Sequence, residues 1–257
     1  MSSSIELRLA AQHLVEAQQT GQLAAPIHPL LHEDLEAAYD VQELVLSAQE
    51  STTNPRVGRK LGLISAAAQA RLQASQPCFG VLLNDMDASG WVEIPESGLR
   101  QPKIQAEVAF ILHTDITSTD LASVEAAVMS VVPALSIVDH RVGDGLTVTD
   151  YVADNLGLAY FVAGFDRVPL IRIKTDDIAM KLTINGQVQS TGHVQDGLGD
   201  AIHGLVWLAQ AAADLGRPLR AGEIILSGTL GPLMDFPPGA EVEAELSGLG
   251  RVTAARD

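Results

Sequence analysis

The chain has 257 residues, 47 % of them hydrophobic, which suffices for a full core and excludes a disordered linker or tail. Its formal net charge of −16 excludes nucleic acid and anionic membrane as partners, since both need a basic surface. The single cysteine, Cys78, allows no internal disulfide, and no apolar stretch reaches the ~18 residues of a membrane span, so a soluble, cytoplasmic protein is expected.

Ser3 followed by Glu6 is a capping-box pattern, and Ile5, Leu9, Leu14 and Ala17 follow at roughly helical spacing, so a helix is predicted up to the polar run 18–22. Pro26 and Pro29 predict an extended segment. A second helix is expected from near His32, with Leu35, Ala38, Val41 and Val45 on one face, and then a loop over 51–55. Residues 1–55 are thus expected to form a helical annex and residues 56–257 the main domain. Arg56–Leu63 reads as a strand with Lys60 at its centre. Lys60 is either a solvated edge lysine or a ligand group, with Gly58 and Gly62 leaving space for a ligand to approach. A helix over 65–74 follows, and 82–87 is ambiguous.

Ile104–Leu112 reads as a strand, and residues two apart on a strand share a face, so Gln105 and Glu107 point together. They form either the solvated face of an edge strand or half of an oxygen-ligand metal site. Thr119-Asp120 predicts a helix carrying Leu121, Val124, Val128 and Val131 and closed by Pro133. Residues 150–157 are a short helix or loop before a strand over 159–163. Asn185-Gly186 predicts a hairpin between strands 179–184 and 187–191. A helix over 200–215 ends at Gly216, and a buried strand over 223–227 leads into Gly228-Thr229. Two final strands, 242–246 and 252–255, complete a pattern without regularly alternating helices, which predicts an α+β mixed roll instead of a doubly wound parallel sheet.

Familiar signatures are absent: there is no dinucleotide fingerprint, Walker loop, His-Glu-x-x-His or Gly-x-Ser-x-Gly. Ser136, Asp139 and His140 lie too close along one strand to converge as a triad, and His193 and His203 read as surface or satisfied helix histidines.

Several stretches in order carry a resemblance: Gly-Arg-Lys-Leu-Gly-Leu (58–63), Phe-Gly-Val-Leu-Leu-Asn-Asp-Met (79–86), Gln-Pro-Lys-Ile-Gln-Ala-Glu-Val-Ala-Phe (101–110), Val-Ala-Asp-Asn (152–155) and Leu-Arg-Ala-Gly-Glu-Ile-Ile-Leu-Ser-Gly-Thr-Leu-Gly-Pro (219–232). The chain resembles the hydratase/decarboxylase branch of the fumarylacetoacetate hydrolase family, whose members include the 2-keto-4-pentenoate hydratases of aromatic catabolism. The resemblance implies a helical annex on a mixed β-roll and assembly into oligomers, either homo-oligomers or hetero-oligomers with a homologue. It implies a lyase acting on a small 2-oxo acid or 2-hydroxy-dienoate, and Mg²⁺ or Mn²⁺ held by three carboxylates. It also places Lys60, Leu61, Asn155, Gly228 and Thr229 around the substrate and Lys60, Glu107 and Cys78 in the chemistry.

The departures bear on the chemistry. Gln105 and Ser136 stand where the family has carboxylates, Cys78 where it commonly has an Asp, and Asp200-Ala201 after Leu198-Gly199 where it usually has His-Pro. Only Glu107 of the metal set is charged, so the metal site is expected to be weak or lost, the alternative being no cofactor at all. Cys78 could act only as a stabilised thiolate, and otherwise fills space. Three functions follow. The first is the family's hydratase or decarboxylase. The second is a metal-independent tautomerase, decarboxylase or cyclase that uses Lys60, with Glu107 or Asp139 as base. The third is a non-catalytic partner subunit.

Overall fold

A computed structural model of the protein describes residues 2–197 and 199–257. Met1 and Leu198, the latter part of the Leu198-Gly199 pair noted above, lie outside the described residues.

Helix α1 (Ser4–Thr20) starts at the predicted capping box, with Ser3 and Glu6 bonded reciprocally, and ends at left-handed Gly21. The prolines do not keep the next segment extended: His28–Leu31 form one helical turn, α2, with Pro29 in its first turn, where a missing N–H costs nothing. Helix α3 (Leu35–Ser47) is capped by Asp34 and turns Val41, Val45 and Leu46 inward.

The large sheet is mixed. Strands β1 (Arg56–Gly62), β2 (Cys78–Leu83), β3 (Lys103–Leu112), β4 (Val128–Val138), β5 (Leu158–Ala163), β8 (Ile224–Thr229) and the short β9 (Met234–Asp235) run in the order β2-β1-β8-β3-β4-β5, with β9 beside β3. Within this sheet β1 and β8 are parallel and the other pairs antiparallel. A second sheet holds β6 (Ala179–Ile184), β7 (Gln187–His193), β10 (Glu241–Leu246) and β11 (Gly250–Ala255) in the order β11-β10-β6-β7, and packs through β10 and β11 on β4. The hairpin β6–β7 turns at Asn185 and Gly186, both at positive φ as a two-residue turn of this kind requires. Helices α4 (Ala66–Leu72), α5 (Leu121–Ala127), α6 (Val148–Ala153) and α7 (Ala201–Asp214) complete the fold. None is long and apolar enough to cross a membrane.

The expected α+β roll is therefore present, with a further internal difference. The helix predicted to run from Leu121 through Val131 stops at Ala127, and Val128 begins β4. Its β-branched residues are stiff in a helix and here pair with β3 along almost its full length. Pro133 is tolerated inside β4 because its missing N–H lies on the β5 side, just past the end of that strand, where the Pro133 carbonyl still accepts from the Gly164 N–H (2.8 Å). The ambiguous stretch 82–87 divides into the end of β2 and a 3₁₀ turn, Asn84–Met86.

Candidate active site

β1 and β3 carry the charged residues of the site and β8 lies between them. Lys60 on β1 is opposite Leu226 of β8, and β8 pairs in turn with β3, its register shifting beside Glu107. Neither strand is an edge. The solvated-edge readings of Lys60 and of the Gln105–Glu107 pair are thereby overturned: Lys60 is 1 % exposed and Glu107 is completely buried.

Lys60 Nζ lies 2.6 Å from Glu107 Oε1. The same oxygen accepts from Gln105 Nε2 (2.8 Å) and from the Ser136 hydroxyl (2.5 Å), while Gln105 Nε2 also donates to Ser136 Oγ (3.1 Å). Glu107 Oε2 accepts from the backbone N–H of Gly228 (2.9 Å). Gly228 has φ +82°, and Ile64 occupies the space a Cβ would need, so this turn demands glycine. The cluster is thus one buried carboxylate surrounded by four donors. An ammonium carries three N–H groups. One of Lys60's reaches Glu107, another the carbonyl of Leu61 (3.2 Å), and the third has no partner among the described residues.

This set does not fit Mg²⁺ or Mn²⁺. Such ions need several oxygen ligands, with anionic charge to balance them. Gln105 turns its NH₂ toward Glu107 because a carboxylate can only accept, and the Ser136 proton is spent on the same oxygen. Among the described residues no group of three His, Cys, Asp or Glu is arranged to hold a metal.

The other candidate residues are arranged around this cluster in different ways. Leu61 is fully buried and offers its carbonyl. Thr229 bonds locally to Gly231 and borders a surface cavity with Leu230–Leu233. Asn155 spends both ends of its amide on the backbone of Val81 (2.7 and 2.9 Å) and so ties the α6 loop to β2, not to the cluster. Asp139, considered as a base, accepts from the backbone N–H groups of Arg100 and Gln101 and has Arg100 Nε at 3.5 Å, fixing that loop. Cys78 is buried, and burial pushes its thiol well above the ordinary value despite the charge of Lys60, so the thiolate that chemistry would require is disfavoured. The glycines beside Lys60 do not open space for a ligand either. A Cβ on Gly58 would meet the Ile224 backbone, and one on Gly62 would meet Leu156, Cys78 and Tyr151.

Arg141 and Tyr151, near the site, were not singled out from the sequence, and His140 was set aside as part of a triad. Arg141 forms a buried pair with Asp154 (2.5 Å to Oδ1) and donates its backbone N–H to Oδ2. Burial alone would raise the Asp154 pKa, but Arg141 and His140 hold it below the usual carboxylate range. The His140 ring packs on Tyr151 with centroids 5.4 Å apart, and its Nδ1 is 3.4 Å from Asp154. The Tyr151 hydroxyl is turned toward Gly62. The only local signal for Tyr151 was an aromatic residue in the 150–157 segment. Just beyond its helix, Asn155 and Leu156 adopt left-handed φ of +50° and +61°, which no pattern announces. A cavity of about 370 Å³, lined by Arg71 and residues 146–149, borders Cys78.

The Fumarylacetoacetate (FAA) hydrolase C-terminal family model matches residues 85–255. The chain is 37 % identical over 247 residues to the 2-keto-4-pentenoate hydratase of Paraburkholderia xenovorans (strain LB400), a match covering 95 % of this chain and 92 % of that one. It is 38 % identical to 2-keto-4-pentenoate hydratase 1 of Dechloromonas aromatica (strain RCB), with 98 % of each chain covered. Among solved structures it superposes on the 4-oxalocrotonate decarboxylase of Pseudomonas putida G7, complexed with magnesium and adipate, with TM-score 0.94 and 25 % identity, covering 100 % of this chain and 99 % of that one.

Proposed function

Because the chain belongs to the fumarylacetoacetate hydrolase family, we propose that it is a lyase adding water to a small 2-hydroxy-dienoate, in the manner of its 2-keto-4-pentenoate hydratase relatives, with the Lys60 ammonium supplying the positive charge at the reacting oxygen. The observation that carries this reading is the buried Lys60–Glu107 pair with one ammonium N–H unspent. In 2-hydroxypenta-2,4-dienoate the proton on O2 is lost and C5 gains one, giving a 2-oxo-3-enoate. Water then adds its oxygen at C4 and a proton at C3. Negative charge collects on O2 in both steps. A donor already fixed in a dry site stabilises that charge without reorganising. Ser136, Gln105 and Gly228 hold Glu107 in place, and Glu107 holds the ammonium.

The closed packing around the pair favours a second reading, in which only the first proton transfer occurs and the protein is a tautomerase. One assay separates the two. The protein is treated with EDTA, desalted and mixed with 2-hydroxypenta-2,4-dienoate, and products are followed by NMR. The hydratase reading expects 4-hydroxy-2-oxopentanoate; accumulation of the 2-oxo-enoate supports the tautomerase; no consumption of the dienoate refutes both. On the same footing, residues 1–55 are read as an annex to the roll 56–257, and the protein as a cytoplasmic homo-oligomer whose mass light scattering would measure.

A further inference from the structure

The family commonly places an acid/base at position 78, and here the residue is a buried, protonated thiol. Tyr151 reaches the same space from the other side. Its hydroxyl oxygen and Cys78 Sγ each lie 3.2 Å from the point a Cβ on Gly62 would occupy. Gly62 is two residues beyond Lys60 on β1 and so shares its face, on a strand that rises about 3.3 Å per residue. The phenol is fixed through its ring, which packs on His140, itself held beside Asp154. Its hydroxyl makes no hydrogen bond to a described residue and, on a half-buried side chain, still meets solvent, while the polar groups around it are spent: Asn155 on Val81, Asp154 on Arg141, and Glu107 on its four donors. A rigid donor without a partner, a short step along the strand from an ammonium with one free N–H, forms half of a two-donor cradle.

We propose that the Tyr151 hydroxyl is a catalytic hydrogen-bond donor to the 2-oxo oxygen of the substrate, acting with Lys60. Burial, and then the nearby Glu107 carboxylate, raise the phenol above its ordinary value, so it stays protonated and donates without giving up its proton. No bond to hydrogen breaks at Tyr151. The role is electrostatic and belongs to both steps in which O2 carries charge. It rests on the reading that a 2-oxo acid is the substrate.

The test compares 2-oxopentanoate with pentanoate, which differ only in that oxygen, by titration calorimetry on wild type and Tyr151→Phe. Phenylalanine keeps the ring against His140. Wild type is expected to prefer the 2-oxo acid, and the variant to bind it about five- to ten-fold more weakly, the worth of one neutral hydrogen bond. Pentanoate affinity should change less than two-fold, which also shows that the variant is folded. Turnover of the dienoate should fall about a hundred-fold, as when one oxyanion donor is removed. An equal loss for both ligands, or no loss for either, overturns the proposal. A wild type that prefers the 2-oxo acid but consumes no dienoate would refute the hydratase reading alone, leaving Tyr151 to be judged by the ligand ratio.

Discussion

Lys60 Nζ and Glu107 Oε1 stand 2.6 Å apart with 1 % and 0 % of their side chains exposed, so neither charge is neutralised by water. Removing one partner of such a pair strands the other. Lys60→Met should therefore weaken 2-oxo acid binding by about ten- to a hundred-fold, through loss of a charge-assisted hydrogen bond of about 1.5–3 kcal/mol. It should also destabilise the fold by about 3–5 kcal/mol, because Glu107 is left buried without its counter-charge. A surface lysine would show neither effect. The second substitution in Lys60→Met/Glu107→Gln should restore most of the stability and none of the binding. Urea unfolding beside ligand titration checks both, and a double variant as unstable as the single one would mean that the pair is not coupled.

The replacement of two carboxylates by Gln105 and Ser136 leads to a prediction about metal. Mg²⁺ and Mn²⁺ should bind the purified protein only weakly, with dissociation constants in the millimolar range or above, because one carboxylate already holding four donors has little to offer an ion. Gln105→Glu/Ser136→Glu should bind Mn²⁺ at least a hundred-fold more tightly, and should lose the Lys60–Glu107 contact on loading. Calorimetry with both ions decides. Micromolar binding by wild type would show that the hydrogen-bonded arrangement gives way to an ion.

Much of this centre was legible in the sequence, and the reasons for the rest are physical. Gln105 and Glu107 share a face because strand periodicity is local, and the hairpin at Asn185-Gly186, the capping box at Ser3 and the helix after Asp200 are local in the same sense. Residues Val128–Val131 were misassigned because helical spacing cannot show that a ten-residue partner strand lies alongside. That Lys60 meets Glu107 follows from β8 running between their strands, information no window of sequence contains and which only the family resemblance supplied. The Gly62 position shows the opposite limit. The glycine was visible, but whether its space held ligand or protein depended on Leu156 and Tyr151, far along the chain.

Asp150 offers a test on the acid side. It is fully buried and accepts from the backbone N–H groups of Ile27 and His28, from His28 Nδ1, and from the N–H and hydroxyl of Thr147, so it joins the start of α2 to the start of α6. Burial would raise its pKa, yet these bonds hold it below the ordinary carboxylate value. A depressed folded pKa contributes stability that is present above the unfolded value of about 4 and is lost as pH falls through the folded value. Asp150→Asn should cost about 1.5–3 kcal/mol at pH 7. The gap between wild type and variant should close as pH falls from 5 toward 2. Unfolding free energies measured across that range would reveal a constant gap if the carboxylate's charge does not matter.

Arg71, at the end of α4, concerns how an anion enters a chain of net charge −16. It is exposed and has no ion-pair partner among the described residues. Three cavities border it: one reaching Cys78, a second lined by His140, Arg100 and Lys103, and a third along Thr229–Leu233. Arg100 and Lys103 are engaged with Asp139 and Asp235, which leaves Arg71 as the unspent guanidinium at the junction. A long-range attraction of this kind acts on substrate and transition state alike, so its loss appears in KM and not in kcat. Arg71→Ala should raise KM for the dienoate about three- to ten-fold at low ionic strength, the worth of roughly 0.7–1.4 kcal/mol. The effect should shrink toward unity near 0.5 M salt, where the screening length falls to only a few ångströms. Arg71→Lys should behave almost as wild type, because steering needs charge and not the planar fork. Steady-state kinetics across salt concentrations would separate the outcomes. A KM increase that ignores salt would assign Arg71 to direct contact with the substrate, and an unchanged KM would remove it from the entry path.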